Sequence, residues 1–323
     1  MVNFRIEKMG LYMRYYFCAA LVSLSILVLV LPHFLLDARG IVRSLKEFER
    51  IDVSQDHDLF LRSLKAELEI FTNRNDFRNL VKEAIDKDIS RSNPQEDLLK
   101  QNMIVLVLDG HDDTIRPIFS DLQHKLNSQG IDFLRVPLIG YGSSQSVFNH
   151  PSLIDEGESH CKMTERNKTV AQLVASFVLI PSLIVERLLA EYDDVRIYSF
   201  SGGGFVAYFL GILYPGISFI EIQSGFYPSD YFIRHLPSFY GDCEYQKFLE
   251  SGYSYSALAD FGVGISERIS FYFSLRDPCC FSGLGSLFLY FRSKVSREFL
   301  VTLDIFRSQH EIDERNMNQF VNR

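Results

Sequence analysis

A serine in the second half of the chain lies between a strand-forming run and a glycine-rich helix start. Residues 196–205 read R-I-Y-S-F-S-G-G-G-F, which places Ser201 directly after the apolar run and before three glycines. A serine that projects its hydroxyl from a sharp strand-to-helix turn has a strained backbone, and its neighbours must be small because the chain folds back on itself. Such a serine is suited to attack an acyl carbon and to form an acyl-enzyme.

The residues two positions before and after Ser201 decide how well the motif suits this turn. Gly203 is small enough on the C-terminal side. On the N-terminal side, Ser199 occupies a position where glycine is usual, so the motif is S-x-S-x-G. Serine is the next-smallest polar residue and leaves the turn possible. We therefore predict that Ser201 is a nucleophile on a strand-to-helix turn, which is called the elbow below.

From residue 101 onward, apolar runs of strand length alternate with segments of helical periodicity. This alternation predicts an α/β domain with a mostly parallel central sheet flanked by helices. The run M-I-V-L-V-L at 103–108 is continuous, as in a strand buried on both faces. The predicted strands cover residues 103–108, 131–138, 195–200, 217–222, 269–275 and 299–305. The predicted helices cover residues 115–129, 170–192 with an interruption at Pro181, and 202–214.

This arrangement resembles the α/β-hydrolase family over residues 103 to about 315. Two turns add to the resemblance. Asp109-Gly110-His111 matches the family's His-Gly-x turn after an early strand, with aspartate in place of the first histidine, and G-Y-G-S-S at 140–144 looks like its G-x-G-x-S turn. The resemblance implies an α/β-hydrolase fold for residues 101–323.

The resemblance also implies a Ser-His-Asp triad in the chain order of this fold. Asp277 follows the strand predicted at 269–275, and His310 follows the last predicted strand. His310 would take the proton of Ser201, and Asp277 would orient the imidazole. Backbone amides of Gly202 and His111 would form the oxyanion hole. Other carboxylates that could replace Asp277 are Asp260, Asp304, Glu311 and Asp313.

The implied activity is that of a serine hydrolase, most simply one that cleaves a carboxylic ester, without a cofactor. A serine peptidase or thioesterase of the same fold is an alternative, and so is a hydrolase-fold protein that binds without reacting. A glycine-rich helix start can also bind phosphate. However, the segment lacks the G-K-[ST] ending of a phosphate-binding loop and the spacing of a dinucleotide fingerprint.

A zinc-dependent deacetylase is a further alternative. The segment Gly110-His111-Asp112-Asp113 resembles the His-Pro-Asp-Asp signature of such enzymes, although the proline is absent. A zinc site needs further ligands, for which His150 and His160 are candidates. The acidic pair can also cap the helix predicted to start near Thr114.

An insertion rich in aromatic residues spans about 223–268 and is predicted to form a cap over Ser201. An aromatic lining suits a small-molecule or lipid-like acyl substrate. The alternative is that the rings only pack the cap itself.

The composition limits the class of protein. The chain has 323 residues, of which 47% are hydrophobic, so it can bury a large core. Its net charge of -8 and the lack of a basic stripe argue against nucleic acid as a partner. Its cysteines show no C-x-x-C spacing. Cys161 and Cys243 could pair in a disulfide if the domain lies outside the cytoplasm.

Residues 1–36 are predicted to be a single-pass membrane anchor. The run from Tyr15 to Leu36 has no charged residue and is long enough to cross a hydrocarbon core of about 30 Å. A cleavable signal peptide is the alternative reading. We expect the large domain on the extracytoplasmic side.

Residues 37–100 are charged, with apolar residues at helical spacing that include Leu59, Leu61, Leu64 and Leu68. This spacing predicts short amphipathic helices whose apolar stripe packs on the following domain. The alternative is that the stripe forms a binding site for a partner.

Overall fold

The computed structural model describes residues 57–72, 75–89, 102–110, 117–139, 165, 169–223, 268–274, 300–304, 319–320 and 322. All of these belong to one compact unit of the chain, Ile51–Arg323. The predicted anchor at 1–36 and nearly all of the predicted cap lie outside the described residues.

A parallel sheet forms the centre of this unit. Its strands are β1 (Met103–Leu108), β2 (Asp132–Val136), β3 (Asp194–Phe200), β4 (Phe219–Gln223), β5 (Ile269–Ser274) and β6 (Leu300–Asp304). They lie in the order β2-β1-β3-β4-β5-β6, and every pair of neighbours is parallel. The predicted parallel sheet is therefore confirmed, with strand limits that differ from the predicted ones by a few residues.

The helices of the described residues are α1 (His57–Thr72), α2 (Asn75–Asp88), α3 (Pro117–Ser128), α4 (Val170–Glu191) and α5 (Gly203–Leu213). Helices α4 and α5 pack on one face of the sheet, which we call the α4 face. Helix α3 and Phe320 pack on the other face, which we call the α3 face. Helices on both faces bury the sheet on both sides, so β1 consists of buried residues throughout.

Helix α4 lies between the sheet and an outer layer formed by α1 and α2. Residues 177–185 of this helix are all buried, which is why the helix is apolar around most of its circumference. Within the described residues it is the one helix long and apolar enough to span a membrane, but most of it is buried inside the protein. The helix also continues through Pro181, where the sequence analysis places an interruption. Its N-terminus is capped by Thr169, whose hydroxyl accepts a hydrogen bond from the Gln172 amide at 3.1 Å.

Helix α1 packs on α4 through Phe60, Leu64 and Leu68, which are buried and repeat every four residues. This contact is the packing expected for the apolar stripe. The position of the stripe differs in one respect, because Leu59 is 55% exposed and Phe60 takes the buried place. Hydropathy alone does not separate the two neighbours, since both side chains are apolar.

Candidate active site

The strand order reverses between β1 and β3. From β1 the chain leads to β2 on one side, and from β3 it leads to β4 on the other. In open parallel sheets, ligands bind in the crevice at the carboxyl ends of the strands where the order reverses. The segments that follow β1 and β3 are Asp109-Gly110 and Ser201-Gly202. The elbow therefore lies at the point where this type of sheet binds its ligands.

Ser201 has the strained backbone expected of an elbow. Its φ angle is +52°, and it is the one non-glycine residue with a positive φ in the described part of the chain. The left-handed region is unfavourable for a residue with a Cβ atom. Two backbone hydrogen bonds hold the turn: the Ser201 amide donates to the Gln223 carbonyl at 3.0 Å, and the Gly204 amide donates to the Ser201 carbonyl at 2.9 Å. Ser201 is thus fixed between β4 and the first turn of α5.

Ser199 shows how the elbow accommodates a serine where glycine is usual. Its side chain is fully buried, and its hydroxyl donates a hydrogen bond of 2.9 Å to the backbone carbonyl of Glu221 on β4. A buried hydroxyl with a hydrogen-bond partner does not carry the desolvation cost of an unpaired one. The hydroxyl that Ser199 introduces in place of the usual glycine therefore has its hydrogen-bond partner on the neighbouring strand β4.

Gly203 must be a glycine because α5 begins against the end of β1. A Cβ atom at this position would lie 2.4 Å from the Leu108 carbonyl oxygen and 2.6 Å from that of Asp109. Both distances are far below van der Waals contact, and both involve backbone atoms that cannot rotate away. The role that the sequence analysis gives to Gly203 as the small residue of the elbow is consistent with this contact.

Gly110 brings the turn after β1 against the predicted nucleophile. A Cβ atom at Gly110 would lie 2.6 Å from Ser201 Cβ and 3.2 Å from Ser201 Oγ. The backbone of this turn therefore borders the serine side chain directly. This is the turn that the resemblance assigns to the oxyanion hole, in which backbone amides face the developing negative charge.

Asp109 is a buried carboxylate in the same turn. It is 2% exposed, and its Oδ2 atom accepts hydrogen bonds from Nε of Arg135 at 2.7 Å and from Nη2 of the same guanidinium. The guanidinium carbon of Arg135 lies 4.7 Å from the centre of the Phe119 ring. The pairing of Arg135 with Asp109 could not be predicted from the sequence, because Asp109 follows a neighbouring strand and no local motif connects the two residues.

Buried polar side chains of β3 and β4 lie on the α3 face of the sheet, close to the strand ends that lead to the elbow. Glu221 and Gln223 are each 1% exposed, and the hydroxyl of Tyr198 donates to the side-chain Oε1 of Gln223. Gln223 therefore holds Tyr198 through its side chain and Ser201 through its backbone. The polar residues in the strand F-I-E-I-Q were the signal that could have identified this position.

A small cavity among the described residues adjoins Gly203 of the elbow. It has a volume of about 10 Å³ and lies between the ends of β1 and β2 and the helices α4 and α5. This volume accommodates about one water-sized group. Its apolar lining includes Leu138, Phe177, Ile180 and Val206.

Of the predicted site residues, Ser201 and Gly202 are described, and they adjoin each other at the start of α5. Asp277, His310 and His111 lie outside the described residues. Strand β5 ends at Ser274 and β6 ends at Asp304, shortly before Asp277 and His310 in the sequence. Because the strands are parallel, β5 and β6 end at the same edge of the sheet as β3, which leads into the elbow.

Among the described residues, no group of three or more His, Cys, Asp or Glu side chains could hold a metal ion. The histidines considered for a zinc site, His111, His150 and His160, lie outside that part of the chain.

No protein-family model matches the sequence, and no curated protein matches it. Solved structures with a similar course of the chain include acetyl xylan esterase 1 from Thermoanaerobacterium sp., with 12% identity, a TM-score of 0.44 and coverage of 77% of this chain and 93% of that chain. Another is the esterase Est1E from Butyrivibrio proteoclasticus with bound ferulic acid, at 12% identity and a TM-score of 0.47, covering 72% and 90% of the two chains. A third is the acylaminoacyl peptidase of Pyrococcus horikoshii, at 12% identity and a TM-score of 0.41, covering 72% and 37%.

Proposed function

We propose that this protein is a serine hydrolase of α/β-hydrolase type that cleaves a carboxylic ester through Ser201. The observation that carries the proposal is the backbone of Ser201, which has a φ of +52° at the end of a parallel strand. A non-glycine residue persists in such a conformation only where the surrounding structure enforces it, and such strain is concentrated at functional sites. Gly110 leaves no room for a side chain beside Ser201, so the backbone of its turn lies next to the proposed nucleophile, where an oxyanion hole can form.

The proposed mechanism assigns one role to each predicted site residue. His310 takes the proton of Ser201 as the hydroxyl attacks the acyl carbon, and Asp277 orients His310 and stabilises its imidazolium. The amides of Gly202 and His111 donate to the oxyanion, each with a contribution on the order of 3 kcal/mol in the transition state. His310 then returns its proton to the leaving alcohol. Water activated by the same histidine releases the acid and regenerates Ser201.

The proposal is tested by the reaction of the purified full-length chain with a fluorophosphonate probe, which phosphonylates activated serines. We expect the probe on Ser201 in the wild type and no labelling of the Ser201→Ala variant. Ser120→Ala is the matched control, because Ser120 is exposed on α3, and this variant should be labelled like the wild type. Peptide mapping after proteolysis identifies the modified residue.

Two results of this experiment would contradict the proposal. A folded wild-type chain that does not react would favour a hydrolase-fold protein that binds without reacting, and metal analysis would then examine the zinc alternative. Labelling that persists in the Ser201→Ala variant would show that another residue is the nucleophile. If Ser201 reacts, a panel of acyl esters, thioesters and peptides with the same acyl group decides between esterase, thioesterase and peptidase.

We further propose that residues 1–36 anchor this hydrolase in a membrane, with the catalytic domain on the extracytoplasmic side. The support is the uncharged run from Tyr15 to Leu36. Retention of the chain in carbonate-washed membranes tests the anchor, and its release under these conditions would refute it.

A further inference from the structure

The ion pair between Asp109 and Arg135 has no role in the mechanism proposed above, although Asp109 directly precedes the glycine that borders Ser201. Asp109 is the first residue after β1, and its amide donates to the Val136 carbonyl at 3.0 Å, so the end of β1 remains paired with β2. Its carbonyl oxygen borders Gly203, and the next residue, Gly110, borders Ser201. Asp109 is thus connected through backbone contacts to both sides of the elbow.

The side chain of Asp109 is held by a guanidinium that is itself well fixed. Arg135 donates from two nitrogens to one carboxylate oxygen and stacks near the Phe119 ring on the α3 face. Asp109 is 2% exposed and the Arg135 side chain is 23% exposed. The carboxylate is therefore screened from water, whereas its partner retains some contact with solvent.

A buried negative charge at this position opposes the proposed chemistry unless it is neutralised. Acyl transfer places a negative charge on the substrate oxygen beside the turn that contains Gly110. Charges of the same sign repel one another strongly where water is excluded. A buried carboxylate that loses its partner also destabilises the structure around it, because an unpaired buried charge is unfavourable. The first effect would oppose acyl transfer, and the second would loosen the turn that borders Ser201.

We infer that Arg135 and Asp109 are positioning residues of the proposed hydrolase: Arg135 neutralises the Asp109 carboxylate in the turn that borders Ser201 and thereby holds the Asp109-Gly110 turn against Ser201. The inference rests on the proposed function. The pair also accounts for Asp109 at a position where the α/β-hydrolase family has a histidine. The negative charge of Asp109 is compensated by Arg135 on the neighbouring strand β2.

The test measures the kinetics of fluorophosphonate labelling with the full-length chain, because this reaction needs no knowledge of the natural substrate. We expect Arg135→Gln to lower the maximal labelling rate about tenfold or more, with the half-saturating probe concentration unchanged, because the charge acts on the transition state. The double variant Asp109→Asn/Arg135→Gln contains no unpaired charge and should recover to within about threefold of the wild type. Arg135→Lys keeps the positive charge and should also retain most of the rate.

Arg196→Gln is the matched control. Arg196 pairs with Asp194 at 2.9 Å, and both lie near the start of β3, at the opposite edge of the sheet from the elbow. Its loss breaks a comparable ion pair away from Ser201. We expect this variant to be less stable toward urea but to label at the wild-type rate at a concentration where it is folded.

A normal rate for folded Arg135→Gln would overturn the inference, and so would a double variant that is as slow as the single one. If Arg135→Gln does not fold, the double variant and Arg135→Lys decide, and a tenfold loss in either would refute the inference. These results differ from failure of the proposed function, in which the wild type itself is not labelled and both proposals fall together.

Discussion

Ser201 combines an unfavourable backbone conformation with contacts that enforce it. Holding a non-glycine residue in the left-handed region costs roughly 1 kcal/mol or more. The hydrogen bonds from the Ser201 amide to Gln223 and from the Gly204 amide to Ser201 lock the turn, and the buried hydroxyl of Ser199 ties the preceding residues to β4. The hydroxyl of Ser201 is therefore presented by a rigid support, which is what a nucleophile that must meet an acyl carbon in one orientation requires.

Gly110→Ala tests this support at the residue scale. The added Cβ atom would lie 2.6 Å from Ser201 Cβ, so either the turn or the serine must shift. Since a displacement of about 1 Å can lower a catalysed rate by about 10²-fold, we expect a comparable loss in the rate of fluorophosphonate labelling. Gly216→Ala is the control, because the nearest atom to its Cβ is the flexible end of Leu189 at 3.1 Å. A Gly110→Ala variant with the wild-type rate would contradict the described contact between this turn and Ser201.

At the scale of elements, the helix that begins at the elbow is supported by a continuous group of aromatic rings. Phe205 and Phe209 on α5 have their ring centres 5.1 Å apart. Phe205 also meets Phe177 on α4 at 5.7 Å, and Phe209 meets Phe60 on α1 at 6.1 Å. Such pairs add to the stability that burial provides. Helix α1 is therefore part of the core that supports the elbow helix, although it precedes the α/β region in the sequence.

Phe60→Ala measures the contribution of α1 to the fold. Removal of a fully buried phenylalanine leaves a cavity, and we expect the free energy of unfolding to fall by about 3–5 kcal/mol in urea denaturation. The neighbouring Leu59 is 55% exposed, so Leu59→Ala should change it by only about 0.5 kcal/mol. Equal effects of the two substitutions would show that α1 does not pack through the face described here.

For the whole molecule, the parallel sheet explains how distant parts of the sequence can form one site. Strands β1, β3, β5 and β6 all end at one edge, and the segments that follow them contain the turn predicted to form the oxyanion hole, Ser201, Asp277 and His310 in that order. The triad prediction depends on this convergence. Asp277 and His310 themselves lie outside the described residues, so their roles remain predictions.

His310→Gln and Asp277→Asn test the triad. Without the base or its orienting acid, Ser201 is not activated, and we expect labelling to slow by about 10³-fold or more in each variant. His124→Gln and Asp121→Asn are the matched controls, because both residues are exposed on α3 and should not affect the rate. If Asp277→Asn alone keeps its rate, one of the other candidate carboxylates, such as Asp304 or Glu311, takes its place.

The sequence by itself determined which segments form strands and where the strand-to-helix turn at Ser201 lies. The continuous apolar run at 103–108 can only be buried on both faces, and the small residues around Ser201 permit a sharp turn. These features are local, because side-chain size and periodicity act between residues close together in the chain. They were sufficient to predict the parallel sheet and the elbow, but not which of two apolar neighbours, Leu59 or Phe60, faces the core.

Only the tertiary structure decided how the predicted elements support one another. The apolar helix α4 is a core helix because α1 and α2 cover the side that the sheet leaves open, and no pattern within α4 carries that information. Likewise, Arg135 meets Asp109, and Ser199 meets the Glu221 carbonyl, because their strands are neighbours in the sheet. Strand order and register depend on the summed packing of residues far apart in the sequence. The strand order therefore decides which buried charges and hydroxyls lie close enough to pair.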